Sequence, residues 1–242
     1  MESRSTQGDR AEAERRPPVE LPDDIVSELH ATARPGKGPI AVKVFADAAA
    51  AFAEEDFADA IRLGEQSKHI ALRSAAIREL LGLAYYRAGK YKEAARELGA
   101  FRRISGSVDQ NPVLADCNRA LGRPDRALEL CDEVSRDRVP EAVYYEAQIV
   151  AAGALGDGGN IDAAIARLES LDLDPETARE HHLRAWYALG DALERRGRFT
   201  QARGLFEAVA GADPDLTDAP RRARRLAGKR EAGSAGPQNK SR

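Results

Sequence analysis

Apolar and polar residues along residues 186–214, WYALGDALERRGRFTQARGLFEAVAGADP, follow a helical period. Trp186, Leu189, Gly190 and Leu193 fall at i, i+3, i+4 and i+7, which places them on one face of a helix. Gly197 breaks that helix. A second one carries Phe199, Ala202, Leu205, Phe206 and Val209 on one face, and Pro214 forbids its continuation. Gly190 and Ala202 are small where the two helices must approach closely, and Trp186 and Phe206 are large where the gap is wide.

The small residue of the second helix recurs at Ala60, Ala94, Ala127, Ala164 and Ala202, at intervals of 34, 33, 37 and 38 residues. Three positions before each sits Phe57, Tyr91, Pro124, Ile161 or Phe199, which opens the second helix. Four positions after come Leu98, Cys131, Leu168 and Phe206, with Gly64 as the weak exception beside Leu63. Twelve positions before, Ala48, Gly82, Ala115 and Gly190 hold the small place of the first helix. The fourth copy needs an insertion, and GALGDGGN, residues 153–160, is expected to supply it at the turn.

The order Trp186, Leu189-Gly190, Ala202, Phe206, Pro214 resembles the tetratricopeptide repeat signature, with Leu193 in place of the expected Tyr. The resemblance implies an all-α fold, a right-handed superhelical solenoid of about five helix-turn-helix repeats with short capping helices. ADCNRALGRPDRALEL in the third copy and the LDP connection before the fifth are similar to soluble actinobacterial members of that family. The expected layout is an N-terminal disordered tail over 1–22, a capping helix and Gly/Pro linker over 23–39, repeats over 40–215, a C-terminal capping helix over 216–228 and a disordered tail over 229–242. Asn111 is expected to cap the first helix of the third copy, with Pro112 in its first turn. The last helix is expected to put Ala219, Ala223, Leu226 and Ala227 on one side, with Arg221, Arg222, Arg224 and Arg225 on the others.

Composition narrows the function more than the fold. A net charge of −3 argues against nucleic acid or an anionic membrane as the main partner. No apolar run reaches the roughly 18 residues of a membrane span, and the first thirty residues hold no secretory leader, so a cytoplasmic protein is expected. Cys117 and Cys131 then read as buried thiols in a reducing compartment. Arg far outnumbers Lys, which also fits a genome rich in G and C, so arginine clusters count for less.

No catalytic constellation survives its structural requirements. Gly36-Lys37 and Gly89-Lys90 lack the upstream glycine of a phosphate loop. Asp157, Asn160 and Asp162 lack the alternating ligands and closing Glu of a calcium loop. His181 and His182 are neighbours about 100° apart on a helix, poorly placed to chelate one ion, and no Cys or third His lies near them in sequence. A non-enzyme without cofactor or metal is expected.

In the family it resembles, first helices line the concave surface. The stripe beside the core stripe carries Phe45, Ala49 and Phe52; Glu79, Leu83 and Tyr86; Pro112, Asp116 and Arg119; Glu146, Val150 and Gly153; and Tyr187, Asp191 and Glu194. Members that clamp a C-terminal carboxylate place Lys, Asn and Arg there, whereas these positions are acidic and apolar. The expected function is a protein-interaction module or scaffold. Its partner-binding groove would comprise Glu79, Leu83, Tyr86, Asp116, Arg119, Glu146, Tyr187, Asp191 and Glu194, and its partner would be a basic protein segment or peptide. The plainer reading leaves these acids as a solvated helix face. The alternative is an RNA- or ribosome-associated factor using the arginines of 221–230.

Overall fold

The computed structural model describes residue 16, residues 19–171 and residues 178–229. The expected tails lie outside the described residues, save for Arg16, residues 19–22 and Lys229. Twelve helices follow one another, with no strand among the described residues: α1 (Asp23–Thr32), α2 (Gly38–Ala53), α3 (Phe57–Ile70), α4 (Ala75–Arg87), α5 (Tyr91–Ser105), α6 (Asn111–Ala120), α7 (Pro124–Asp132), α8 (Glu141–Asp157), α9 (Ile161–Glu169), α10 (Glu180–Arg196), α11 (Phe199–Ala212) and α12 (Ala219–Leu226). They form two compact units, Met1–Cys117 and Asn118–Arg242. None of these helices is long and apolar enough to cross a membrane. Helix α6 begins at Asn111, which is almost wholly buried, with Pro112 in its first turn.

Five helix-turn-helix copies share one turn. In each, one residue adopts a left-handed backbone: Glu55 (φ 60°), Gly89 (70°), Gly122 (71°), Gly159 (83°) or Gly197 (85°). Its N–H donates to the carbonyl three residues back, and the next N–H donates to the carbonyl five residues before it, as in Gly89 to Tyr86 and Lys90 to Tyr85. These bonds satisfy carbonyls that the end of a helix otherwise leaves without partners. Four copies use glycine, which reaches positive φ without a Cβ clash. The first uses Glu55, at a cost of about 1 kcal/mol.

That shared turn corrects the expected insertion. Gly159 stands five residues before Ala164, the same distance as Gly89 before Ala94 and Gly197 before Ala202. The turn of the fourth copy is therefore of ordinary length. Its extra residues lie in the connection between α7 and α8, residues 133–140, and Ala152 occupies the small place of its first helix.

The spaced alanines sit in like surroundings: Ala60, Ala94, Ala127, Ala164 and Ala202 are each at most 1% exposed. The first-helix position opposite them is small for a visible reason. A Cβ on Gly82 would lie 2.5 Å from the side chain of Leu98, and one on Gly190 would lie 2.8 Å from the ring of Phe206. Gly64 fills the weak place of the first copy in reverse, since the side chain of Leu81 comes within 2.8 Å of where its Cβ would be. Each large side chain buried this way stabilises by roughly 1.5–3 kcal/mol.

Between the first two copies runs a buried ionic brace. Glu97 of α5 is fully buried and accepts from Lys68 of α3 (3.1 Å), Arg78 of α4 (2.5 Å) and Arg96 (3.0 Å). Burial pushes its carboxyl up, but the hydrogen bonds from Arg78 and Lys68 overcome that, and the group sits below its ordinary value. Helix α1 covers the start of the repeats with Leu29, fully buried, while Glu28 accepts from Ser74 Oγ (2.6 Å) and the Ala76 N–H (3.3 Å). Arg16 is ion-paired to Glu54, Asp56 and Asp59 around the turn into α3.

Two outcomes follow. Replacing Glu97 with Gln leaves buried cations uncompensated and costs about 3 kcal/mol at neutral pH in urea unfolding. Because the folded carboxyl titrates below its unfolded value of about 4.3, the wild-type advantage is complete above that pH and disappears as pH falls through the folded value. Glu55→Gly, which relieves the one non-glycine left-handed turn, raises stability by about 1 kcal/mol in the same assay.

Candidate functional site

With the register fixed by the turn, the groove stripe of the fourth copy is Ile149, Gly153 and Gly156 rather than Glu146, Val150 and Gly153. Val150 is core, 5% exposed. Glu146 stands outside the stripe and accepts from Arg184 at 3.0 Å. The spacing misleads here because Gly158 and Gly159 look like a lengthened turn, whereas only Gly159 takes the left-handed conformation.

In the first unit, Glu79, Leu83 and Tyr86 share α4. The Glu79 carboxylate accepts from Gln110 Nε2 at 2.8 Å. Burial holds its carboxyl above the usual range, and Asp109 and Glu28 nearby act in the same direction. Tyr86 Oη donates to Asp116 Oδ2 at 2.8 Å, and its ring meets Tyr91 edge-on at 6.0 Å. The acid and the aromatic expected to face a partner thus bind each other.

In the second unit the same thing happens more strongly. Arg222 of α12 reaches Asp191 (2.7 Å) and Glu194 (2.8 Å), donates to Tyr187 Oη (3.2 Å) and lies over the rings of Phe206 (4.4 Å) and Tyr187 (5.3 Å). Its side chain is only 12% exposed, so it does not lie on an outer face. Burial alone lowers its affinity for the proton, and the bonds to Tyr187, Glu194 and Asp191 raise it past the ordinary value. Glu194 also holds Arg225 at 2.6 Å; burial pushes its carboxyl up, and Arg222 and Arg225 bring it below its usual value. Tyr187 Oη donates to Asp218 at 2.6 Å, and Arg221 pairs with Asp218 as well. The acidic-aromatic wall of the fifth copy is occupied by the chain's own last helix, which packs Ala219, Ala223 and Leu226 into a cluster with Phe206 and Val209. Ala227, expected on that apolar side, lies past the helix end and is exposed.

Beside this anchor opens a cavity of about 400 Å³. Ile149, Ala152, Ile161, Ala164, Leu168, Ala188 and Ala192 give it apolar walls, Leu216 and Thr217 close one side, and Arg119, Arg184, Arg195, Tyr187 and Asp191 supply its polar groups. The guanidinium of Arg119 fits over Gly153, where a Cβ would lie 2.6 Å from it, and pairs with Asp157 at 2.9 Å. Arg195 donates to the Gly156 carbonyl at 3.0 Å. Of the nine residues expected to bind a partner, Arg119, Tyr187 and Asp191 come together here.

One cluster among the described residues has metal-binding donors: Glu141, His181 and His182 place a ligand atom each within 4.8 Å of one another. Tyr145 brings this about, its ring 5.0 Å from His181 and 4.8 Å from His182. Two of the three donors are already engaged, and buried His181 Nε2 is not. Glu141 carries Arg179 (3.1 Å) and Arg136 (3.5 Å), His181 Nε2 lies 3.3 Å from Glu141 without hydrogen-bond geometry, and His182 Nδ1 accepts the Arg179 N–H at 3.0 Å. Two guanidiniums on the one carboxylate oppose a cation, and the cluster secures the start of α10. Cys117 and Cys131 are buried and not joined in a disulfide, and burial pushes the Cys117 thiol up to about 12, out of reach of nucleophilic work at neutral pH.

Removing the anchor should loosen the last helix. Arg222→Ala leaves Asp191 and Glu194 facing each other and costs about 2 kcal/mol, read as faster amide exchange over 219–226; unchanged exchange there contradicts the anchoring role.

Residues 149–217 match the family model described as tetratricopeptide repeat. No curated protein sequence matches the chain. Among solved structures it is similar to TTC0263, a thermophilic tetratricopeptide repeat protein of Thermus thermophilus (TM-score 0.57, 16% identity, covering 77% of this chain and 98% of that one). It is also similar to YrrB, described as having an unusual peptide-binding site (0.52, 18%, 76% and 92%), and to MamA (0.54, 18%, 73% and 93%). Together with the five shared turns, these likenesses establish that the chain has the tetratricopeptide repeat fold, with the repeat legible in sequence over residues 149–217.

Proposed function

We propose that this chain is a non-catalytic interaction module of the cytoplasm that holds a segment of a partner protein in the second unit, on the groove stripe of its fourth and fifth copies. The observation that carries the reading is the cavity lined by Ile149, Leu168, Ala188 and Ala192 with arginines around it. Apolar walls with a few placed polar groups are what a site needs to bury an anchor side chain and orient it. The expected groove of acids is revised, since Asp116, Asp191 and Glu194 serve internal contacts. The Arg-rich helix is likewise committed: Arg221, Arg222 and Arg225 are paired, which removes most of the free charge an RNA-binding role would use. Two buried cysteines not joined in a disulfide fit a reducing compartment.

A peptide library displayed on phage and selected against the full chain tests this. Selected peptides should crosslink to a photoreactive residue at Ala188 and lose at least about tenfold in affinity on Ala188→Trp, which fills the cavity. Peptides that bind Ala188→Trp undiminished, or a library yielding none, contradict the proposal.

A further inference from the structure

We infer that the occupant of this cavity is an extended acidic peptide in which two carboxylates, about five residues apart, flank a bulky apolar side chain. The inference rests on the reading of the cavity as the binding site and reverses the sign of charge expected for the partner.

The charge inventory decides the sign. Arg119, Arg184 and Arg195 line the cavity and Asp191 is its one lining acid. Asp191 is already neutralised by Arg222 at 2.7 Å. Arg119 and Arg184 are paired to carboxylates at the rim, Asp157 and Glu146, which are 44% and 34% exposed and can exchange partners. Arg195 has no carboxylate partner among the described residues and is aimed by the Gly156 carbonyl alone. A basic segment would meet guanidiniums on three sides, and an acidic one would find one unpaired and two exchangeable.

Geometry decides between a peptide and a small amphipathic acid. Arg184 and Arg195 stand eleven residues apart on α10, about three turns, so they share a face and are separated by about 16 Å along the axis. An extended chain covers that span in about five residues. The two guanidiniums are also held apart, Arg184 on Glu146 and Arg195 on the Gly156 carbonyl, ten residues further along α8, so a headgroup held at one does not reach the other. Between them Ala188 and Ala192 keep the wall low, and Ile149, Ile161 and Leu168 form the apolar recess for the central side chain.

Calorimetric titration of the full chain with blocked hexapeptides tests the assignment. EGLFGE, acetylated and amidated, should bind one to one, whereas KGLFGK and EGSSGE should bind at least about tenfold more weakly. Arg195→Ala should weaken EGLFGE about tenfold, and Arg195→Glu should shift the preference toward KGLFGK, with both variants retaining wild-type thermal stability. Equal or better binding of KGLFGK, absence of EGLFGE binding, or uptake of laurate with the same dependence on Arg195 in place of the peptide overturns it. Basic or neutral library peptides that crosslink at Ala188 would defeat this inference and leave the interaction-module proposal standing; loss of all crosslinking would defeat both.

Discussion

The helix pairs of the second and fifth copies depend on one contact: a glycine on the first helix receiving a large side chain from the second. Leu98 rests where Gly82 has no Cβ, and Phe206 rests where Gly190 has none. Interiors are packed closely enough that one extra carbon there is felt. The left-handed turn residue fixes the register, five positions before the buried alanine in every copy, and in the second and fifth copies so brings the small place and the large one together.

From that register comes the position of the groove stripe, and from the stripe the chemistry of the candidate site. In the second unit the stripe residues divide between two tasks. Tyr187, Asp191 and Glu194 hold the last helix through Arg222, which leaves arginines from α6 and α10 around an apolar recess. The end helix thus covers the final apolar face, as repeat architectures require, and in doing so cancels the acidic charge of the groove beside it.

The repeat was legible in the sequence because its signal is spacing. Alanines at 60, 94, 127, 164 and 202 and the openers Phe57, Tyr91, Pro124, Ile161 and Phe199 depend only on helical periodicity. The fourth copy misled because two adjacent glycines, Gly158 and Gly159, suggest a long turn, while backbone φ singles out one of them. The acidic wall was visible as composition, but its neutralisation was not. Which of Arg221, Arg222, Arg224 and Arg225 points inward depends on how α12 lies against Phe206 and Tyr187, and that is settled by packing between residues far apart in the chain. Glu141 joins His181 and His182 for the same kind of reason, through Tyr145 in a different helix.

The most direct test of the packing claim is a double-mutant cycle on Gly82 and Leu98, measured by urea unfolding of the full chain. Gly82→Ala should destabilise by about 1–3 kcal/mol in spite of alanine's better helix propensity, and the same substitution should be neutral or stabilising once Leu98 is Ala, giving a coupling above about 1 kcal/mol. Additive effects of the two substitutions, within about 0.3 kcal/mol, would show that the small-on-large contact does not hold the helix pairs together.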